Sequence, residues 1–167
     1  MKALFAITLA ALAATPLAAS SPTREQLEVM TAAHDFFDAL RSADKTALAR
    51  QMLPEGVIFI HNRMKPGAPR VDVVPVAKHL ERWASSPAQV DELMHFETVL
   101  VDGDMAQVWG PYVFTVAGKM SHCGINSLSM VKTESGWKVA NTSFTMEAPD
   151  NCIEIAAQVN SRIEFEQ

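Results

Sequence analysis

The sequence predicts an α+β fold, a curved antiparallel sheet wrapped around N-terminal helices. Three observations predict it. Apolar residues recur at helical spacing between Thr23 and Trp83. From Glu92 onward the period changes to two. Turn residues then separate long strands by only two or three positions, which makes an antiparallel meander. Helices first and strands after is the α+β order. The chain has 167 residues, 49% hydrophobic and 20% charged, so it holds enough apolar matter for one packed domain and is neither disordered nor fibrous.

The elements follow in order. Lys2, the apolar run Ala3 to Ala14, Pro16 and the small residues Ala18 to Ser21 form the pattern of a secretory signal. The run is short for a bilayer span. A signal over 1–20 and a single domain over 21–167 are therefore expected, in a protein that is exported, periplasmic or secreted. Thr23 with Gln26 fits a capping box, so a helix starts there and runs to about Ser42 on the stripe Leu27, Met30, Ala33, Phe37 and Leu40. Asp44 offers a second N-cap for a short helix from Lys45 to Leu53. Pro54, Glu55 and Gly56 stop it.

Val57 to His61 is rich in β-formers and reads as a short strand, and Asn62 to Arg70 as a loop. Val73 to Trp83 carries a third helical pattern, with Pro75 in its first turn. Four strands complete the chain: Leu93 to Val101, Met105 to Val116, Lys119 to Lys132 and Trp137 to Met146. The turns fall at Asp102-Gly103-Asp104, Ala117-Gly118 and Glu134-Ser135-Gly136. A short helix from Ile153 to Val159 follows.

Cys123 and Cys152 are the only cysteines, and an even count in an oxidising compartment predicts a bridge between them. The net charge of −5 offers no basic patch, so neither nucleic acid nor an anionic membrane surface is an expected partner. Beyond the signal no segment is long and apolar enough to span a bilayer.

A curved sheet around one helix leaves an open mouth, the default place for a ligand. His122 sits mid-strand with Asn126 on its face. It serves either as a general base or ligand hydrogen bond, or as a buried histidine that satisfies the sheet or a carboxylate. Trp109 faces opposite to Tyr112 and Phe114 by alternation, but a bulge at Gly110-Pro111 would bring Trp109 and Tyr112 together. Phe114 reads as aromatic core. Tyr112, the sole tyrosine, can donate a proton or a hydrogen bond. His61 belongs at the rim. The expected ligand-binding set is Phe37, His61, Trp83, Trp109, Tyr112, His122 and Asn126, around a small apolar or aromatic molecule. No metal-binding, nucleotide or serine-hydrolase motif occurs, so no metal and no cofactor are expected.

The order of elements resembles the nuclear transport factor 2-like superfamily of cone folds, also called cystatin-like. Ser121-His122-Cys123-Gly124-Ile125-Asn126-Ser127, the stretch Val131 to Val139 with Gly136-Trp137-Lys138, and Val108 to Phe114 look like its secreted lumazine-binding-like or polyketide-cyclase-like branch. The superfamily holds enzymes, binders and assembly domains, so the resemblance implies three functions. The first is a secreted binding protein. The second is an isomerase, dehydratase or cyclase, with His122 as base and Tyr112 or Asn126 as donor. No acidic residue lies between Met105 and Met130, so a carboxylate base is not expected on those strands. The third is a homodimeric assembly module, joined through the convex sheet face.

Overall fold

The computed structural model describes residues 21–85 and 89–163, and the predicted signal over 1–20 lies outside them. Helix α1 spans Arg24–Arg41. Its capping box is in place: Gln26 N–H donates to Thr23 Oγ1 at 3.2 Å, and Thr23 N–H donates to Gln26 Oε1 at 2.8 Å. The buried stripe is Val29, Ala33, Phe36, Phe37 and Leu40. It is rotated from the expected one, so Leu27 stays in solvent.

The second expected helix is a single 3-10 turn, Ala47–Arg50. The sheet takes its C-terminal half. Leu53 N–H donates to Val139 O and Val139 N–H to Gln51 O, both at 2.9 Å. Asp44 accepts from Thr46 N–H at 3.0 Å, a local turn that competes with the helix.

Strand β1 spans Val57–Asn62 and pairs antiparallel with β2, Arg70–Pro75. β2 lies where loop and helix were expected. Val71 and Val73 alternate outward on a strand with one neighbour, so their exposure disguised the pattern. Pro75 ends this strand, and helix α2, Val76–Ala84, begins after it.

The second expected strand, Leu93 to Val101, is two strands, β3 (Val90–Met94) and β4 (Thr98–Asp102), both paired antiparallel to β5 (Met105–Val116). Three residues, His95 to Glu97, face two, Gly110 and Pro111. Gly110 permits the crossing: a Cβ there would stand 1.8 Å from His95 O. His95 N–H donates to Pro111 O at 3.0 Å, so the edge of Pro111 that lacks an N–H faces the break in the ladder. β5 itself stays in register with β6 (Lys119–Thr133) through Gly110 and Pro111, and shifts only between Phe114 and Thr115. The expected bulge is therefore on the partner strand, and Trp109 is not turned to the face of Tyr112.

β7, Gly136–Met146, pairs antiparallel with β6 and parallel with β1. The sheet order is β2-β1-β7-β6-β5-β3, with β4 also on β5. The sheet is thus antiparallel except at β1/β7, where the first strand joins the last. Its register shifts add curvature, and its inner face holds α1. The main core is formed by Val29, Phe37, Leu48, Val108, Leu128, Met130 and Val139. Helix α3, Ile153–Ile163, covers one end of the outer face. Val113, Cys123, Cys152 and Val159 pack together there, and Cys123 and Cys152 form the predicted disulfide. Among the described residues, no helix is long and apolar enough to cross a membrane.

Candidate functional site

Alternation sends Tyr112 and Phe114 of β5, His122 and Asn126 of β6, and Thr142, Phe144 and Met146 of β7 to the inner face. α1 adds Phe36 and Leu40 opposite them, β1 adds Ile58 and Ile60, and α2 closes the side with His79, Arg82 and Trp83. These side chains surround a cavity of about 280 Å³. The lining is mostly aromatic and aliphatic, and a few polar groups converge in it.

The polar centre is Glu92 of β3. Its side chain lines the cavity and the residue is 7% exposed. Asn126 Nδ2 donates to Glu92 Oε1 at 2.9 Å. Arg41 holds the strand from α1: Nη2 donates to Glu92 O at 2.9 Å, and Nε pairs with Asp91 at 2.9 Å. Burial pushes the Glu92 carboxyl up to about 7. The Asn126 hydrogen bond and the Arg41 charge pull it back only in part, and Asp91 adds to the rise. Glu92 escaped the sequence reading because its strand was started at Leu93. The signal was present: Val90, Glu92 and Met94 alternate inward. The missing carboxylate comes from β3, not from the strands between Met105 and Met130.

A carboxyl whose folded value lies above its unfolded one destabilises the fold once it ionises. Stability is fully present below the unfolded value near 4.5 and falls as pH rises towards 7. The loss is about 3 kcal/mol above that window. Glu92→Gln removes the titration. It is expected to leave stability unchanged near pH 4 and to raise it by about 3 kcal/mol near pH 8, in urea unfolding at both values. A variant with the same pH profile as the parent contradicts this.

His122 is stacked on Phe114, with ring centroids 4.7 Å apart, and meets Tyr112 edge-on at 5.8 Å. Its Nδ1 lies 3.1 Å from Ser121 Oγ. Burial pushes its pKa down to about 4, so the imidazole is neutral near pH 7 and a weak base. Tyr112 is buried, and its hydroxyl donates to Thr145 O at 2.8 Å. Burial, with Glu92 and Glu147 adding to it, raises the phenol above its ordinary value. The hydroxyl is therefore occupied and a poor acid. Gly124, directly opposite Tyr112 in the ladder, makes this contact possible. Thr145 turns its carbonyl over Gly124 to Tyr112, while Thr145 Oγ1 accepts the Ile125 N–H at 2.9 Å.

Four members of the expected ligand set therefore meet in the cavity: Trp83, Tyr112, His122 and Asn126. Phe114, read as core, joins them. Three members do not. Phe37 is packed in the core against Phe36 and Phe96, because the α1 stripe is rotated and Phe36 takes the cavity position. His61 points to the outer face, one residue out of phase with Ile60, and its Nε2 lies 3.1 Å from Ser143 Oγ. Trp109 is on the outer face too, 46% exposed.

Cations stand beside the α2 wall. Lys45 Nζ lies 5.3 Å from the centroid of the Trp83 ring, and His79 stacks on that ring at 5.5 Å. Among the described residues Arg82 has no ion-pair partner, and none of them form a cluster able to hold a metal ion.

No family model and no curated protein matches this chain. Solved structures do. A protein from Streptomyces avermitilis, provisionally named a dehydratase of the nuclear transport factor 2-like family, superposes with a TM-score of 0.56. Its identity is 18%, over 73% of this chain and 95% of that one. The β subunit of a provisionally named aromatic-ring-hydroxylating dioxygenase from Novosphingobium aromaticivorans gives 0.59 at 9% identity, over 74% and 90%. A cystatin-like protein of unknown function from Nostoc punctiforme gives 0.54 at 10% identity, over 74% and 93%. At these identities the likeness is one of fold.

Proposed function

We propose that this chain, which has the nuclear transport factor 2-like fold, is an exported protein that binds a small apolar or aromatic molecule in its cone cavity. The observation that supports it is the cavity, aromatic-walled with one buried carboxyl on its lining. A well-formed apolar pocket with a few convergent polar groups is the common form of a small-molecule site. The disulfide agrees with export, and with it go a signal over 1–20 and a single domain over 21–167. The secreted lumazine-binding-like or polyketide-cyclase-like branch is the relationship we infer from the His122 to Asn126 segment. A homodimer would use the outer face, where Phe59, Val71, Val73 and Trp109 are exposed.

Filling the cavity tests the reading. Ile60→Trp places an indole among the lining residues. The variant is expected to fold, by its circular dichroism, and to bind an apolar naphthylamine dye at least about tenfold more weakly than the parent. Unchanged dye affinity in the folded variant places the site elsewhere.

One observation favours a second reading, proton transfer of the isomerase, dehydratase or cyclase kind. Glu92 is a carboxyl held near 7 inside an apolar cavity, the range in which a general acid or base works at neutral pH. The base in that case is Glu92. His122, neutral and weakly basic, packs the wall beside it.

A further inference from the structure

We propose that the ligand of the cone cavity is a small organic acid, an apolar or aromatic body that ends in a carboxylate, with the anion held at the α2 wall by Arg82. The inference rests on the binding reading above and names its ligand class.

Uncompensated positive charge carries it. Arg82 lines the cavity, and among the described residues it has no hydrogen-bond or ion-pair partner. Lys45 stands beside it over the Trp83 ring, and its hydrogen bond, 3.4 Å long, goes to Leu40 O at the end of α1. The acids near these cations are committed elsewhere. Asp44 accepts from Thr46 and pairs with Arg50, and Glu81 pairs with Lys78. Asp38 and Asp91 both pair with Arg41. The chain as a whole carries a net charge of −5. Two cations left without a carboxylate beside an apolar cavity therefore form a local site for an anion.

A second observation, independent of charge, points the same way. Trp83 also lines the cavity, and its Nε1 is buried with no acceptor. A buried donor without a partner is costly, and a ligand oxygen at this wall supplies one. Guanidinium and indole N–H groups donate and cannot accept, so the wall calls for an acceptor. His79 stacks on Trp83 and adds no third cation. Burial and the Arg82 charge push it below its ordinary value, so it is neutral near pH 7.5.

The cavity's own carboxyl stands apart from this wall. The charges that act on Glu92 are those of Arg41 and Asp91, while that of Arg82 acts on His79. A ligand anion at Arg82 is thus separated from Glu92. Phe36, Ile60, Phe114 and Phe144 offer the apolar lining for the rest of the molecule.

Three probes with one carbon skeleton test this: phenylacetate, phenylacetamide and phenethylamine. Binding of each to the folded chain is measured by ligand-observed NMR near pH 7.5 at low salt. Phenylacetate is expected to bind about tenfold more tightly than the neutral amide, and the amine most weakly. Arg82 is exposed and unpaired, so Arg82→Gln is expected to keep the parent's circular dichroism. This variant is expected to bind phenylacetate about tenfold more weakly than the parent does, with the affinity for phenylacetamide unchanged. Ile60→Trp, by contrast, is expected to weaken all three together. Equal binding of acid and amide overturns the inference. So does preference for the amine, or an acid preference that survives Arg82→Gln, although each of these outcomes leaves a ligand cavity standing. If none of the three binds, the cavity reading fails and the inference fails with it.

Discussion

Gly124→Ala is expected to destabilise the fold by roughly 3–5 kcal/mol, more than an ordinary strand substitution. An alanine Cβ at this position would stand 2.3 Å from Thr145 O and 2.4 Å from Thr145 Oγ1. Those atoms are not the loose end of a side chain. The carbonyl accepts the Tyr112 hydroxyl and the Oγ1 accepts the Ile125 N–H, so moving them breaks two hydrogen bonds in a buried layer. Tyr112 is also a wall of the cavity, so dye binding should weaken in the same variant. Tyr112→Phe separates the effects. It removes the hydroxyl without a clash and is expected to cost about 1–2 kcal/mol. Urea unfolding of both variants decides. A Gly124→Ala protein as stable as the parent would show that the strands move apart freely here.

Loss of the disulfide carries the second large effect. Cys123 and Cys152 are 29 residues apart in sequence, and both are buried under α3. In the chain-entropy model, opening a loop of that size costs about 3–4 kcal/mol. The double variant Cys123→Ala/Cys152→Ala is expected to lose that much unfolding free energy. Hydrogen exchange should rise first in α3, whose packing centres on Val113, Val159 and the bridge. Affinity for a cavity probe is expected to persist below the unfolding transition, because α3 lies on the outer face. A variant within about 0.5 kcal/mol of the parent would mean that α3 holds without the bridge.

The parts of the fold legible in the sequence are those with local causes. The capping box of Thr23 and Gln26 marked the start of α1 to the residue, because two reciprocal hydrogen bonds between near neighbours decide it. The span of β5, Met105 to Val116, was legible because turn residues bracket a period-two run. The cysteine pairing followed from the even count, read with the export that the N-terminal pattern led us to expect. Asn126 and His122 were placed on one face by alternation alone, and the cavity keeps them there.

The failures have the opposite origin. The Lys45 to Leu53 helix gave way because Gln51 and Leu53 bond to Val139, which is distant in sequence. β2 was missed because its outward valines are exposed on a sheet edge. Phe37 and Phe36 differ by one helical position, and only the docking angle of α1 chooses which meets the cavity. Trp109 stayed outside because the extra residue at the β3/β4 break sits opposite Gly110 rather than in β5.

By itself, then, the sequence determined the order and type of most elements, the caps, the turns and the inward faces of the long strands, because each depends on neighbours a few residues away. Only the tertiary structure decided that Glu92 comes to lie beside Asn126. The two residues are 34 positions apart. Their meeting depends on β3 and β6 both pairing with β5, and on a burial that no local pattern records. The chemistry of the cavity rests on that meeting.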